Sequence, residues 1–368
     1  MTQFNEQITL SSGTTLKNRL MLSPMTTQLS FYNGVITEDE ITYYAQRAKG
    51  LGAVITGAAN VQDIGKGWPG ELSIAHDEMI PRLSELAKAI QGEGAKAIVQ
   101  IFHGGRMTSR ATLSGEQPVS ASAVAAERPD AETPRELSEE EILETIQAFG
   151  DATRRAIEAG FDGVELHGAN TYLIQQFFSP HSNRREDRWG GSLENRYRFI
   201  DELLKSVFSA VDTYAKKPFI VGYRFSPEEF ETPGIRFEDT IWLLEQLRET
   251  KLDYLHVSLN TYDRIARSER YSDKTILEYV HDTLQGKIPL VGVGSIRNRN
   301  DVSRVLAHAE FAAVGQQMIV DPEWAVKLAE NRDEEFVVKP FEKAYQELYL
   351  PSPLYNFLKA RYQTTPNV

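Results

Sequence analysis

Short, largely apolar runs alternate with longer amphipathic stretches along the whole chain, the pattern of parallel strands buried on both faces and joined by crossover helices. Eight such runs can be counted, at 20–23, 53–56, 97–100, 163–166, 219–224, 254–258, 289–293 and 311–314. Helices are expected at 38–51, 79–93, 138–160, 193–214, 237–249, 273–284, 298–307 and 323–330. Eight strand–helix repeats suit a closed (β/α)8 TIM barrel of the α/β class. A chain of 368 residues fits one such barrel with insertions, so a single domain is expected over 1–368. Ahead of the first run, Ile8-Thr9-Leu10 and the turn Ser11-Ser12-Gly13 read as an N-terminal hairpin that would plug the bottom of the barrel. Extended loops are expected after strands three and four, at 102–137 and in the polar stretch after His167, where barrel enzymes keep their functional residues.

The balance of charge narrows the choice of ligand. With 40 Lys and Arg against 52 Asp and Glu, the net charge of −12 repels phosphate backbones and anionic headgroups. No nucleic acid and no membrane partner is expected, and a small molecule is favoured. The chain has no cysteine, which excludes disulfides, thiolate nucleophiles and iron–sulfur clusters held by thiolates. No stretch approaches the roughly 20 apolar residues of a membrane span, and the first ten residues lack a leader pattern, so a cytoplasmic location is expected. Self-association is compatible with all of this. None of His76, His103, His167, His181, His256, His281 and His308 forms a His-x-His pair, so no metal site is expected.

The most informative stretch is His167-Gly168-Ala169-Asn170-Thr171-Tyr172, where an apolar run ends in three polar groups. A His and an Asn aimed at one carbonyl oxygen can stabilise negative charge growing on it, and a nearby Tyr can supply a proton. Alternatively, His167 and Asn170 satisfy buried backbone groups in a turn. Arg224 emerges from a strand of otherwise apolar or small residues and needs an anionic partner, either a ligand or a structural carboxylate. Gln100 ends the third strand, where a buried amide has to meet something polar. His103 could line the mouth of a site or simply hold a loop, and Trp68 and Tyr262 are candidate pocket walls.

From His167 the sequence continues through Gln175-Gln176-Phe177-Phe178-Ser179-Pro180-His181-Ser182-Asn183 and Arg185-Glu186-Asp187-Arg188-Trp189-Gly190-Gly191 to Asn195-Arg196. This run closely resembles the most diagnostic segment of the Old Yellow Enzyme family of FMN oxidoreductases, and other pieces follow in the family's order over nearly the whole chain. The resemblance implies a bound FMN and a hydride donor, NADH or NADPH. It also implies an acceptor that is a small α,β-unsaturated carbonyl compound, reduced at its C=C bond in a ping-pong cycle. His167 and Asn170 would bind the acceptor's carbonyl oxygen and Tyr172 would be the proton donor. Asn183, Arg185, Asp187 and Arg196 are read as tying the loop to its helix.

The same resemblance assigns the cofactor contacts. Ser23, Pro24, Met25 and Thr26 match the end of the family's first strand, with Thr26 near the flavin O4. Ala58 matches the small residue whose backbone lies against the ring, and Gln100 the amide on its pyrimidine side. Arg224 would stand near N1, with His167 also at the flavin. Gly294 and Ser295, with Gly315 and Gln316, match the two phosphate-binding turns. One departure matters: the family's usual Arg after the second glycine is Gln316 here, which removes a charge-assisted hydrogen bond worth about 1.5 to 3 kcal/mol. Two other activities stay open, an NAD(P)H oxidase or flavin reductase that uses oxygen, and a flavin-binding barrel without turnover.

Overall fold

The computed structural model describes residues 3–337, 348 and 350–362. Eight parallel strands form its centre: β1 (Leu20–Leu22), β2 (Ala53–Asn60), β3 (Lys96–Phe102), β4 (Gly163–Gly168), β5 (Ile220–Phe225), β6 (Tyr254–Val257), β7 (Leu290–Val293) and β8 (Phe311–Val314). Each pairs with the next, and β8 pairs back onto β1 through Ala312 opposite Leu20, which closes the ring. The expected (β/α)8 barrel is therefore the observed fold. Nearly every strand residue is buried because helices cover the outside and side chains fill the inside.

The covering helices are α1 (Glu38–Ala48), α2 (Ile80–Gly92), α3 (Glu139–Ala159), α4 (Leu193–Tyr214), α5 (Phe237–Leu247), α6 (Ile276–Leu284), α7 (Arg299–Val305) and α8 (Trp324–Ala329). Their starts follow from local chemistry. Ser138 with Glu141, Thr275 with Glu278 and Asn298 with Asp301 each form a reciprocal capping box. The cap at Thr275 is why α6 begins three residues later than the sequence pattern suggested. A further helix, α9 (Ser352–Tyr362), was not anticipated, although Leu354, Phe357 and Leu358 have the spacing of one helical face.

Strands β2, β3 and β4 run past the apolar segments expected for them. β2 continues through Gly57, Ala58, Ala59 and Asn60, with a register shift against β3 between Ile55 and Ala58. Gly57 interrupts the apolar run, but the backbone goes on pairing because β3 lies alongside it. The N-terminal hairpin pairs Ile8–Thr9 with Thr15–Leu16. Its Ser11 hydroxyl and Ser12 N–H donate to Asp253 Oδ1 at 2.9 and 2.7 Å, just ahead of β6, so the hairpin sits at the N-terminal end of the barrel. The opposite end is left for the site.

Candidate active site

The residues assigned from the sequence to catalysis and cofactor binding all line two adjoining cavities at the C-terminal ends of the strands, of about 790 and 350 Å3. The two share Pro24, Met25, Asn170, Arg224 and Arg361. The smaller chamber is lined by Thr26, Ala58, Gln100, His167 and Tyr172, with Trp68 beside them. The larger reaches Ser23, Gly294, Ser295, Gly315 and Gln316. Strand order explains this convergence, because β8, β1 and β2 are neighbours in the closed ring although β8 and β1 lie at opposite ends of the sequence.

His167 is the penultimate residue of β4 and is buried. Gly168 follows because nothing larger fits: a Cβ there would stand 2.2 Å from the Tyr223 hydroxyl oxygen and 2.8 Å from the Arg224 carbonyl oxygen. The chain then turns through Asn170 and Thr171, both in the left-handed region at φ 55° and 65°. For a β-branched Thr this is a strained conformation, which persists only where neighbours over-determine it. Gln175 Oε1 accepts from the Thr171 N–H at 2.9 Å, and Gln176 Nε2 donates to the Thr171 carbonyl at 2.6 Å. Ser226 accepts from the Asn170 N–H at 2.8 Å. The Gln175-Gln176 pair of the long motif thus holds the turn that brings Asn170 and Tyr172 to the cavity.

The three polar groups differ in their electrostatics. Burial, followed by the charges of Arg224 and His256, holds the His167 imidazole well below its ordinary range, so it is neutral. Its Nδ1 accepts from the Ala169 N–H at 3.4 Å, which assigns the proton to Nε2. The Asn170 amide donates to the Ser258 hydroxyl at 3.2 Å and accepts back at 3.4 Å, which leaves a second N–H on Nδ2. Burial and then the Glu71 carboxylate push the Tyr172 phenol up to about 12. Its ring packs edge-on against Phe102 and His167, with centroids at 5.0 and 4.9 Å, and 6.1 Å from Trp68. Glu71, which accepts from the N–H groups of Gly67 and Trp68, holds the Trp68 loop.

Gln100 and Arg224 lie deeper. Gln100 Nε2 donates to Glu165 at 2.7 Å, and the Arg224 Nε is buried without a hydrogen-bond partner. The polar residues of the long loop behave as tethers. Arg185 grips Asp187 at 2.6 Å and the Leu137 carbonyl at 2.7 Å, Asn183 donates to the carbonyls of Phe177 and Trp189, and Arg196 donates to Phe178. None of them lines either cavity. His103 is packed under Gly65, with Nδ1 accepting from the Gly105 N–H, and also lies outside both cavities. Tyr262 donates to Asp301 at 3.1 Å, away from the cavities.

Sequence reading missed two parts of the site. One is α9, which brings Phe357, Leu358 and Arg361 to the smaller chamber. Its apolar spacing was the available signal. The other is the group formed by Glu165, Tyr254 and His256 beneath the floor, for which polar residues inside otherwise apolar strands were the only hint.

Residues 5–335 match the NADH:flavin oxidoreductase / NADH oxidase family. The NADH:acrylate oxidoreductase of Vibrio harveyi is 44% identical over 363 residues, covering 97% of this chain but 36% of that protein. The chain therefore spans about a third of the length of that relative. The probable NADH-dependent flavin oxidoreductase YqiG of Bacillus subtilis is 44% identical over 353 residues, covering 95% of this chain and 94% of that one. Among solved structures, the old yellow enzyme homologue from Zymomonas mobilis superposes with a TM-score of 0.80 at 25% identity, over 96% of this chain and 99% of that one. With a closed barrel, a polar mouth and this match over nearly all its length, the chain belongs to the NADH:flavin oxidoreductase / NADH oxidase family, that of Old Yellow Enzyme, whose chemistry uses flavin and nicotinamide.

Proposed function

We propose that the chain binds FMN along the two cavities and carries reducing equivalents from NADH or NADPH to the activated C=C bond of a small α,β-unsaturated carbonyl compound. The observation that carries this reading is one chamber holding both a neutral His167 with its proton on Nε2 and a Tyr172 hydroxyl kept protonated.

The residues fit the cofactor on their own chemistry. The buried Arg224 Nε needs an acceptor from outside the protein, and the carbonyl-rich edge of a flavin is one. Gly294, at φ 122°, admits no side chain, since a Cβ would lie 2.8 Å from the Thr261 backbone. A close backbone approach is thereby left open beside Ser295, Gly315 and Gln316 for a phosphate. At the other end Ala58, Thr26 and Gln100 would meet the ring. Held by these residues, FMN would supply the hydride chemistry that links the nicotinamide to the acceptor's β-carbon.

The chain's own contribution is binding and proton control. His167 Nε2–H and the second N–H of Asn170 hold the acceptor's carbonyl oxygen and stabilise the charge that develops on it. Tyr172 delivers a proton to the α-carbon, and its raised pKa keeps that proton in place at neutral pH. Trp68, Phe357 and Leu358 give the chamber an apolar wall. Donor and acceptor would use the same space in turn, giving ping-pong kinetics.

The relative named for acrylate supports an acceptor whose double bond is conjugated to a carboxyl group. A relative named NADH oxidase, from Thermoanaerobacter brockii and 37% identical over 330 residues, supports a second reading, in which the barrel oxidises NADH and passes electrons to oxygen or another acceptor. Anaerobic stopped flow separates the two: the NADH-reduced protein is mixed with cyclohexenone, with acrylate or with air. Reoxidation by air alone supports the second reading, and a protein that binds no FMN ends both. Tyr172→Phe should keep its reduction by NADH while reoxidation by the enone slows roughly a hundredfold or more. Unchanged reoxidation would remove Tyr172 from the proton-donor role.

A further inference from the structure

Beneath the floor of the smaller chamber lies a carboxylate without a part in the reading above. Glu165 is completely enclosed and takes three donors: Gln100 Nε2 at 2.7 Å, Tyr254 Oη at 3.0 Å and His256 Nδ1 at 2.9 Å. Barrel register brings them together. Gln100 is the Cα partner of Glu165 across β3 and β4, and Gly222 is its partner across β4 and β5. Tyr254 is the next residue round the ring, opposite Gly222. A Cβ on Gly222 would sit 2.1 Å from the Tyr254 ring, so only glycine lets the phenol reach over β5 to the carboxylate. One step along the strands, Arg224 pairs with both His167 and His256, so the network lies directly under the reacting groups.

We propose that Glu165 is a positioning residue of the flavin site: it dictates which end of the Gln100 amide faces the cofactor and offsets the charge of Arg224, so that it sets both FMN affinity and reduction potential. This rests on the FMN reading of the site.

The first half follows from donor and acceptor capacity. An ionised carboxylate can only accept, so Gln100 must turn its NH2 inward, and its carbonyl oxygen is what remains for the cavity it lines. That oxygen selects a ligand presenting an N–H, as the flavin pyrimidine does. The second half is electrostatic. Burial raises the Glu165 carboxyl, but His256, Arg224 and Gln100 together more than offset it, so the group stays ionised. Burial keeps His256 neutral, its Nδ1 proton committed to Glu165. Arg224 and Glu165 are thus opposed charges in one low-dielectric floor. A buried ionic network of this kind is weak evidence for stability, since well-packed apolar residues usually do as well. Its position under the cofactor is what gives it a use.

The test uses the full chain, with FMN affinity read by fluorescence quenching, potential by equilibration with a reference dye, and folding by thermal melting of the apoprotein. Glu165→Gln should weaken FMN binding by at least about tenfold and move the potential upward, because a negative charge opposing reduction is gone. Tyr254→Phe keeps the charge and removes one donor that damps it, so its potential should move downward. Opposite signs are the signature, since general loosening of the core would not send the two variants in opposite directions. A folded Glu165→Gln protein with unchanged affinity and potential overturns the proposal. If that variant does not fold, an unchanged potential in folded Tyr254→Phe overturns it equally. Failure of the unaltered chain to bind FMN would instead remove the site reading itself, and this inference with it.

Discussion

Gln316 lines the same cavity end as Gly294, Ser295 and Gly315. A neutral amide there can hydrogen-bond a phosphate but adds no charge, whereas Arg297 of the β7 loop lines the same cavity as a cation. Gln316→Arg should therefore tighten FMN binding roughly tenfold to a hundredfold, the worth of one charge-assisted hydrogen bond. Riboflavin, which lacks the phosphate, should gain nothing. Titrating the apoprotein with both ligands checks this, and an equal gain for the two would place the phosphate elsewhere. Legibility at this scale was good where chemistry is local. His167, Asn170 and Tyr172 stand within six positions of one another and were readable as a unit, whereas nothing local to Glu165 announces its three donors, which lie 65, 89 and 91 positions away.

Among the elements, the segment from β1 to α1 matters most because it carries Pro24, Met25 and Thr26. It is anchored from behind: Glu40 on α1 accepts from the Thr27 hydroxyl at 2.6 Å and the Ser30 hydroxyl at 2.5 Å. Burial is the main cause that pushes the Glu40 carboxyl up to about 7, from 4.5 when exposed. The folded protein thus holds this proton more tightly than the unfolded chain. Its contribution to stability is present in full below 4.5 and is lost as pH rises through 7. Between about pH 5 and about pH 8 the unaltered protein should lose roughly 2 to 3 kcal/mol relative to Glu40→Gln, which cannot ionise. Denaturant unfolding at the two pH values checks this, and a pH-independent gap between the proteins would show that Glu40 does not titrate in that window. The start of α3 was legible because its capping box is written in four adjacent residues, whereas the box at Thr275 went unread and the start of α6 was placed three residues early. The far ends of β2, β3 and β4 were not, because a strand's length is set by its neighbours' backbones.

At the scale of the whole molecule, the cofactor reading makes FMN a structural ligand as well as a chemical one. It would touch β1, β2, β3, β4, β5, β7 and β8 or the turns just beyond them, which meet only in the closed ring. Free FMN at about 100 times its Kd should stabilise the apoprotein by about 2.7 kcal/mol. For a chain of 368 residues that corresponds to a rise of roughly 3 to 4 °C in Tm. Differential scanning with and without FMN measures the shift. No shift at a concentration that saturates fluorescence quenching would mean that the ligand binds folded and unfolded chains alike.

Sequence alone determined the number of strands, their alternation with helices, the capped start of α3 and the polar ends of the strands, because each depends on hydrophobic period and on hydrogen bonds within a few residues. The identity of the long motif after His167 pointed to the family for the same reason. Only the tertiary structure decided which strand ends share a cavity, how Glu165 collects donors from β3 and β6, and that α9 lines the smaller chamber. Those contacts join residues far apart in the chain, and their geometry is set by the register at which the barrel closes.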